Sequence, residues 1–509
     1  MREDWIECEL GDVCFTTSGG TPSRQNKAFY GGRIPWVKSG ELDKGIINDT
    51  EEKITEEAVK NSSAKVFPKG TLLIALYGAT IGKLAFLGVE AATNQAICGI
   101  YENEIFESNY LYNYLFHKRQ KLIGQGTGGA QPNISQTILK KLSLPIPSLP
   151  EQRAIVAKIE ELFISLDSGI ADLKKAQDQL KIYRQAVLKK AFEGELTKKW
   201  RAKQTNLPTA EELLVQIKEE RKSHYNNQIE DWKKAVKDWE VKGKKGKSPT
   251  VPKKWKEITP LTVIERDNLF KLQEGITWRK IGEICSVKGG KRLPKGQVFT
   301  KEKTPYNYIM AGNLKNGTVI NETNYINKET YDSLYHYRVN EGNVYITIVG
   351  ACIGDAGVIP TSHHLSILTE NAAKIICTES LSSRYLSFWL NSLVAQIRIK
   401  SSIFSMTLGK LALSRVEEIE FPFCSLEEQH QIVQEIESRL SVCDKVEESI
   451  AESLEKSKAL RQSILKKAFE GKLLNEQELA ACKSAPDYEP ASVLLKRIKA
   501  EKSAVKKTK

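Results

Sequence analysis

Leu188-Lys189-Lys190-Ala191-Phe192-Glu193-Gly194 recurs residue for residue as Leu465-Lys466-Lys467-Ala468-Phe469-Glu470-Gly471, 277 positions later. It closes a longer stretch, Glu151 to Gly194, that returns without a gap as Glu428 to Gly471. The apolar residues inside it carry a helical period. In the first copy Ile155, Ile159, Leu162, Leu166, Leu173, Ala176, Leu180, Tyr183 and Val187 fall at alternating a and d heptad positions, broken at Gly169. In the second, Ile432, Ile436, Leu440, Cys443, Val446, Ile450, Leu454, Leu460 and Ile464 do the same. A 44-residue helix is a rod of about 66 Å at about 1.5 Å per residue. Two such seams in one chain are expected to bury each other as an intramolecular coiled coil. Antiparallel packing is expected, because it places the exit of the first helix beside the segment it must lead into.

Outward from the helices, the flanking segments are diverged copies of each other. Gly11-Asp12-Val13-Cys14 matches Gly282-Glu283-Ile284-Cys285, Ser18-Gly19-Gly20 matches Lys288-Gly289-Gly290, and Ser39-Gly40-Glu41-Leu42 matches Ala311-Gly312-Asn313-Leu314. The stretch from Gly70 to Gly82 matches Gly342 to Gly354. Glycines recur where turns must recur, with short β-branched or aromatic runs between them that read as strands. Residues 110–121 and 384–400 read as helices. The expected fold class is α+β: two pseudo-repeated domains and two long antiparallel coiled-coil helices. The expected boundaries are 1–150 for the first domain, 151–200 for the first long helix and 201–275 for a basic linker with a short helix. Residues 276–425 then form the second domain, 426–475 the second long helix, and 476–509 a basic tail with a short helix. That last helix also repeats, since Ala210, Leu213 and Ile217 have counterparts in Ala491, Leu494 and Ile498. A shared scaffold with divergent polar loops implies one task on two different targets.

Composition narrows the class. Nine scattered cysteines without a Cys-x-x-Cys pair, no apolar leader after Met1 and no apolar run of about 18 residues predict a reduced, soluble, cytoplasmic protein with no membrane partner. The formal charge is +13; residues 195–256 contribute +8 of it and residues 483–509 the other +5. A basic linker and tail are more often solvated than nucleic-acid arms. Gly78-x-x-x-Gly82-Lys83-Leu84 is one residue short of a phosphate loop and lacks its Ser/Thr, so it reads as a strand-to-turn junction. Gly124-x-Gly126-x-x-Gly129 follows a helix rather than a strand, against a dinucleotide fingerprint. The six histidines, His363-His364 included, lack metal-ligand spacing. No catalytic site, metal site or resident cofactor is expected.

The order of motifs at the domain ends resembles that of the specificity subunits of type I restriction-modification enzymes. Gln125-Gly-Thr-Gly-Gly-Ala-Gln131-Pro132-Asn133-Ile134-Ser135 leads to Leu144-Pro145-Ile146-Pro147 and then Leu149-Pro150-Glu151-Gln152-Arg153-Ala154-Ile155-Val156. The second copy is looser, with Thr407 to Leu411, Phe421-Pro422 and Leu426-Glu427-Glu428-Gln429-His430-Gln431-Ile432-Val433, and it lacks the Gln-Pro-Asn. The resemblance covers nearly the whole chain. It implies a non-catalytic, sequence-specific DNA-binding subunit that reads a bipartite asymmetric site and directs adenine methylation and DNA cleavage by its partners. Those partners would be two modification subunits and two restriction subunits, which would bind S-adenosylmethionine, ATP and Mg in place of this chain. On the residues alone two readings stay open beside it. A tandem-domain coiled-coil scaffold for protein partners predicts no salt-dependent DNA affinity; an unrecognised nucleic-acid enzyme predicts activity from the purified chain.

Loops on such domains would meet base edges in a major groove while lysines and backbone amides fix register on phosphates. Candidate contact loops in the first domain are 17–23, 38–41, 77–83 and 125–133, with Ser18, Gly19, Gly20, Thr21, Lys38, Tyr77, Thr80, Lys83, Gln125, Thr127, Gln131 and Asn133 as candidate DNA-binding residues. In the second they are 288–292, 313–316, 349–355 and 401–410, with Lys288, Lys291, Arg292, Asn313, Lys315, Ser401, Ser402, Ser405 and Lys410.

Overall fold

The computed structural model describes residues 2–507, save 104–105, 126–132, 245, 247, 253, 256, 321–323 and 404–408. The chain forms two compact units, residues 1–175 with 450–509, and residues 176–449. Each unit is an α+β domain plus one half of each long helix.

In the first unit, Ile6–Glu9 pairs antiparallel with Ser143–Ile146, which brings the two ends of the domain together. A five-stranded sheet runs in the order Thr16–Ser18, Ile97–Ile100, Leu72–Ala75, Leu84–Leu87, Gly45–Ile47. A four-stranded sheet follows the order Glu52–Ile54, Tyr30–Val37, Ala91–Thr93, Val66–Phe67. Leu72, Leu73, Ile74 and Ala75 are all buried, as expected of a central strand covered on both faces. The helix Ser108–Gly124 places Tyr110, Leu111, Tyr114 and Leu115 in the same core as that strand.

The second unit repeats the plan. Thr277–Lys280 pairs with Glu420–Phe423. The larger sheet runs Ser286–Gly289, Ala372–Ile376, Val344–Thr347, Ala356–Val358, and the smaller one Asn324–Tyr325, Asn307–Ile309, Ile367–Leu368. The parallel pairing of Tyr30–Val37 with Ala91–Thr93 recurs as Asn307–Ile309 with Ile367–Leu368. The single helix expected over 384–400 is two, Ser383–Leu390 and Leu393–Ser401, because Ser392 caps the second by accepting from the Ala395 amide.

The long helices are Leu149–Phe192 and Leu426–Phe469. Each is anchored at its start by a fully buried glutamine. Gln152 Nε2 donates to the Pro147 carbonyl while its Oε1 accepts from the Glu107 amide. Gln429 Nε2 donates to the Cys424 and Ser380 carbonyls while its Oε1 accepts from the Ser382 amide. The glutamate before each glutamine is buried too and accepts from an arginine. Glu151 receives Arg2 and the Trp5 indole N–H, both at 3.0 Å, and burial nevertheless pushes its carboxyl up from the ordinary range. Glu428 receives Arg201 Nε and the Thr197 hydroxyl, both at 2.8 Å.

Within each unit the helix pair is antiparallel. In the first, Ile155 and Ile159 share a core with Ile464 and Leu465, and further along Arg461 pairs with Asp167 and lies 4.5 Å over the Phe163 ring. In the second, Arg184 lies 2.7 Å from Asp444 and 2.9 Å from Glu447, and Val187 and Leu188 share a core with Ile432 and Ile436.

The repeated string that closes each helix docks on a domain. Phe469 sits among Tyr110, Tyr114 and His117, with ring centroids 5.3, 5.0 and 5.6 Å away. Phe192 sits against Tyr385 and Trp389 at 5.2 and 5.1 Å. The domain that begins each repeat is therefore closed by the helix end of the other repeat.

The seam departs from the heptad expectation. Ile155, Ile159, Leu162, Leu166, Leu173, Leu180 and Val187 are buried or half-buried, as are Ile432, Ile436, Leu440, Ile450, Leu454 and Ile464. Leu460 is 50% exposed, and Val446 and Tyr183 also face out. Glu447, Arg461 and Arg184 take their places. Burial recurs about every 3.6 residues, the period of a straight α-helix, whereas a heptad presumes 3.5, so the assignment drifts off the contact face along the rod. The short linker helix is also a correction: it runs Ala210–Val241, 32 residues, with only its first turns, Ala210, Leu213 and Ile217, buried. Ala491, Leu494 and Ile498 are buried in the same pattern on Ala491–Lys507.

Candidate nucleic-acid interface

In each domain, three chain segments converge at one end of the larger sheet. In the second unit the Gly290 amide donates to the Ala372 carbonyl, the Lys291 amide to the Leu368 carbonyl and the Leu411 amide to the Ile348 carbonyl. These bonds tie together the loop after Ser286–Gly289, the turn before Ala372–Ile376 and the chain leading out of the domain. Between them lies a cavity of about 440 Å³ lined by Gly289, Gly290, Lys291, Arg292, Glu370 and Lys410, floored by Ile348, Leu411 and Leu413. A Cβ on Gly290 would stand 2.0 Å from the Thr369 carbonyl oxygen, so only glycine permits this approach.

The first unit builds the same junction. The Gly19 amide donates to the Ile97 carbonyl, Gly20 to Thr93 and Ile134 to Leu76. Tyr77 bridges to Asn133 as Val349 bridges to Lys410. An aromatic donor clamps the same loop in both: Trp36 Nε1 reaches the Gly20 carbonyl at 3.2 Å, and the Tyr308 hydroxyl reaches the Lys291 carbonyl at 2.8 Å. These bonds make Gly19 the counterpart of Gly290, and Gly20 that of Lys291. The expected match of Ser18-Gly19-Gly20 to Lys288-Gly289-Gly290 is therefore one residue out of register.

The candidate residues divide. Thr21, Tyr77 and Asn133 lie on the three converging segments of the first domain, with Ser18, Gly19 and Gly20 forming the loop base. Lys291, Arg292 and Lys410 line the cavity of the second, and Lys288 and Lys315 are exposed on its strands. Others are engaged in holding loops. Lys38 Nζ pairs with Glu51 at 2.7 Å and Glu52 at 3.3 Å, Lys83 faces Asp43 at 3.6 Å, and the Thr80 hydroxyl donates to the Tyr77 carbonyl. Ser401 and Ser402 turn their hydroxyls back onto the Arg398 carbonyl. Asn313 is buried, accepts from the Met310 amide and donates to the Ile320 carbonyl, as a turn-forming side chain does. Gln125 is exposed at a helix end, while Thr127, Gln131 and Ser405 lie outside the described residues.

Sequence reading missed Glu370 and Gln95, which face the glycine loops from the neighbouring turn. Arg292 Nε stands 3.5 Å from Glu370 Oε1, and the Thr21 hydroxyl bonds to Gln95. It also missed a layer of stacked cations. Arg24 lies 4.5 Å over Tyr30 and 5.1 Å over Trp36, Arg338 lies 3.9 Å over Tyr331, and Lys291 faces Tyr337 at 5.9 Å. Lys374 is buried and donates to the His336 and Arg338 carbonyls; burial, with Lys288 nearby, brings its ammonium down to about 8. Exposed Arg and Lys beside ordered turns, with amide and hydroxyl groups between, suit a nucleic-acid surface. Among the described residues, no cluster of His, Cys, Asp and Glu could hold a metal, and no helix is long and apolar enough to cross a membrane.

The sequence model of the type I restriction modification DNA specificity domain matches residues 2–175 and 273–456, one copy for each half. The chain belongs to that family. The specificity subunit of the type I restriction enzyme EcoBI from Escherichia coli is 26% identical over 419 residues, covering 81% of this chain and 76% of its own. A chain solved in a study of assembly and conformational transition of the type I restriction-modification system shares the fold with a TM-score of 0.64 at 18% identity, covering 93% of this chain and 99% of its own. The HsdS subunit of Thermoanaerobacter tengcongensis does so with a TM-score of 0.54 at 18% identity, covering 93% and 98%. The duplicated loops thus belong to two target-recognition domains of a DNA specificity subunit.

Proposed function

We propose that each target-recognition domain reads one half of a bipartite, asymmetric DNA site, and that the paired long helices set the spacing between the halves. The observation that carries this is the junction built twice on the same backbone hydrogen bonds, with different polar groups presented in each copy. A constant frame with two different sets of donors and acceptors selects two different sequences. In this reading, two modification subunits supply S-adenosylmethionine and the methyl transfer to adenine. Two restriction subunits supply ATP- and Mg-dependent cleavage, and the assembly works in the cytoplasm. The chain itself contributes selection of the site and a platform for the others.

The test is methylation mapping. With its modification subunits the chain should direct adenine methylation at a split, non-palindromic motif, and alone it should transfer no methyl group. Methylation at a continuous palindrome, or methyl transfer by the isolated chain, overturns the reading.

A further inference from the structure

Glu370 is out of place on a surface meant for a polyanion. It lines the same cavity as Lys291, Arg292 and Lys410, and its side chain is 34% accessible to solvent. Facing a phosphate, a carboxylate there would weaken binding. Facing the major-groove edge of a base pair it would not, because cytosine N4 is a hydrogen-bond donor that a carboxylate accepts from. The guanine of the same pair offers O6 and N7, the acceptors that an arginine fork donates to. Arg292 is 76% exposed and only 3.5 Å from Glu370, so the two can address both bases of one G·C pair while neutralising each other in the absence of DNA.

The duplication supplies an independent check on the position. With Gly19 opposite Gly290 and Ile97 opposite Ala372, Thr21 stands where Arg292 stands and Gln95 where Glu370 stands. Thr21 and Gln95 touch each other just as Arg292 and Glu370 do. One location in two copies of the frame therefore holds a contacting pair, charged in the second domain and neutral in the first. A glutamine matches adenine through N6 and N7.

We infer that this cross-loop pair is a specificity determinant in each domain: Arg292 with Glu370 reads a G·C pair in the second half-site, and Gln95 with Thr21 reads an A·T pair in the first. The inference rests on the proposal that these junctions face the DNA major groove.

The experiment uses the full chain assembled with its modification subunits and maps methylated sites for the wild type, Glu370→Gln, Gln95→Glu and the double substitution R292T/E370Q. In Glu370→Gln, which alters the cytosine contact and keeps the Arg292 fork, one position of the second half-site should weaken its preference for G·C by roughly 5-fold, the low end for a base-edge contact, with every other position unchanged. Gln95→Glu should alter one position of the first half-site only. R292T/E370Q copies the neutral pair of the first domain, keeps the overall charge balance, and should convert the affected position to A·T. Where a variant methylates too weakly to map, its binding to a duplex library randomised at each position gives the same readout. An unchanged motif in active variants overturns the inference and leaves the proposed function standing, as would a uniform loss of rate at every site. A wild-type assembly with no split motif overturns the proposed function itself.

Discussion

Removing the Phe192 side chain should loosen the second unit, although by sequence it ends the helix of the first repeat. Phe192 is 1% exposed and meets Tyr385 and Trp389 edge-on, at interplanar angles of 66° and 75°. A Phe→Ala change in a core costs about 3–5 kcal/mol, and lost edge-to-face contacts place this one toward the top of that range. About 4 kcal/mol corresponds to roughly a thousandfold rise in the open population, and amide exchange reports it segment by segment. In Phe192→Ala, exchange should quicken over Ala372–Ile376 and Ser383–Leu390 while Leu72–Ala75 and residues 110–115 stay protected. Phe469→Ala should give the mirror result, because Phe469 packs on Tyr110 and Tyr114. Acceleration of Leu72–Ala75 in Phe192→Ala, or a change under about tenfold in its expected segments, would refute the reciprocal docking.

Acid should weaken the first unit through His117. Its Nδ1 is buried without a hydrogen-bond partner among the described residues and its ring lies on Phe469; burial first, then Lys118 and Lys466 against Glu470, holds its pKa below the ordinary value. The unfolded chain takes the proton near about 6.5 and the folded one lower, so this stability is full above that pH and is lost as pH falls through the window beneath it. The denaturation midpoint of the wild type should drop between about pH 7.5 and 5.5 by more than that of His117→Phe, and equal drops would exclude the histidine. A fragment ending at Lys222 carries a Leu-Lys-Lys-Ala-Phe-Glu-Gly end identical to the one that closes its own domain in the full chain. It should dimerise in sedimentation, with Phe192 of each copy on Tyr110 and Tyr114 of the other, and with modification subunits it should methylate an inverted repeat of the first half-site. A folded monomer would show that the two ends are not interchangeable.

What was legible in the sequence follows from what repetition can carry. The long helices, their number and the duplication of the domains rest on a gapless repeat, and nothing in the fold competes with it. The seam could not be read residue by residue, because Arg184 and Arg461 occupy it. A long cationic side chain covers apolar surface with its stem while its head finds Asp444, Glu447 or Asp167 at the margin, so polarity alone misplaces it. The ion pairs at the helix starts were invisible for another reason. Arg201 follows the helix end it sits beside, at Gly194, while Arg2 precedes its domain and sits beside Gly471, so no linear alignment matches them. The two arginines do one job from opposite sides of the repeat boundary.

The one-residue slip at the glycine loops bears directly on recognition. Matching Gly19-Gly20 to Gly289-Gly290 by identity would put Thr21 opposite Lys291 and leave Arg292 opposite Pro22, which dissolves the contacting pair. Only the backbone bonds from Gly19 to Ile97 and from Gly290 to Ala372 fix the true register. Those bonds, the carbonyls that clash with any Cβ on either glycine, and the clamp from Trp36 or Tyr308 all act on main-chain atoms. The main-chain frame thus does not depend on which side chains stand at Thr21, Gln95, Arg292 and Glu370, although these touch across the loops and Glu370 also accepts from the Thr369 hydroxyl. Side chains that add to such a frame without building it can be exchanged as matched pairs, and a protein that must select new sequences needs its variation there. The buried Asn313 and Glu41, which cap the neighbouring turns, have no such freedom. Their polarity in the sequence serves loop construction, which a list of polar loop residues does not separate from groups left exposed for a ligand.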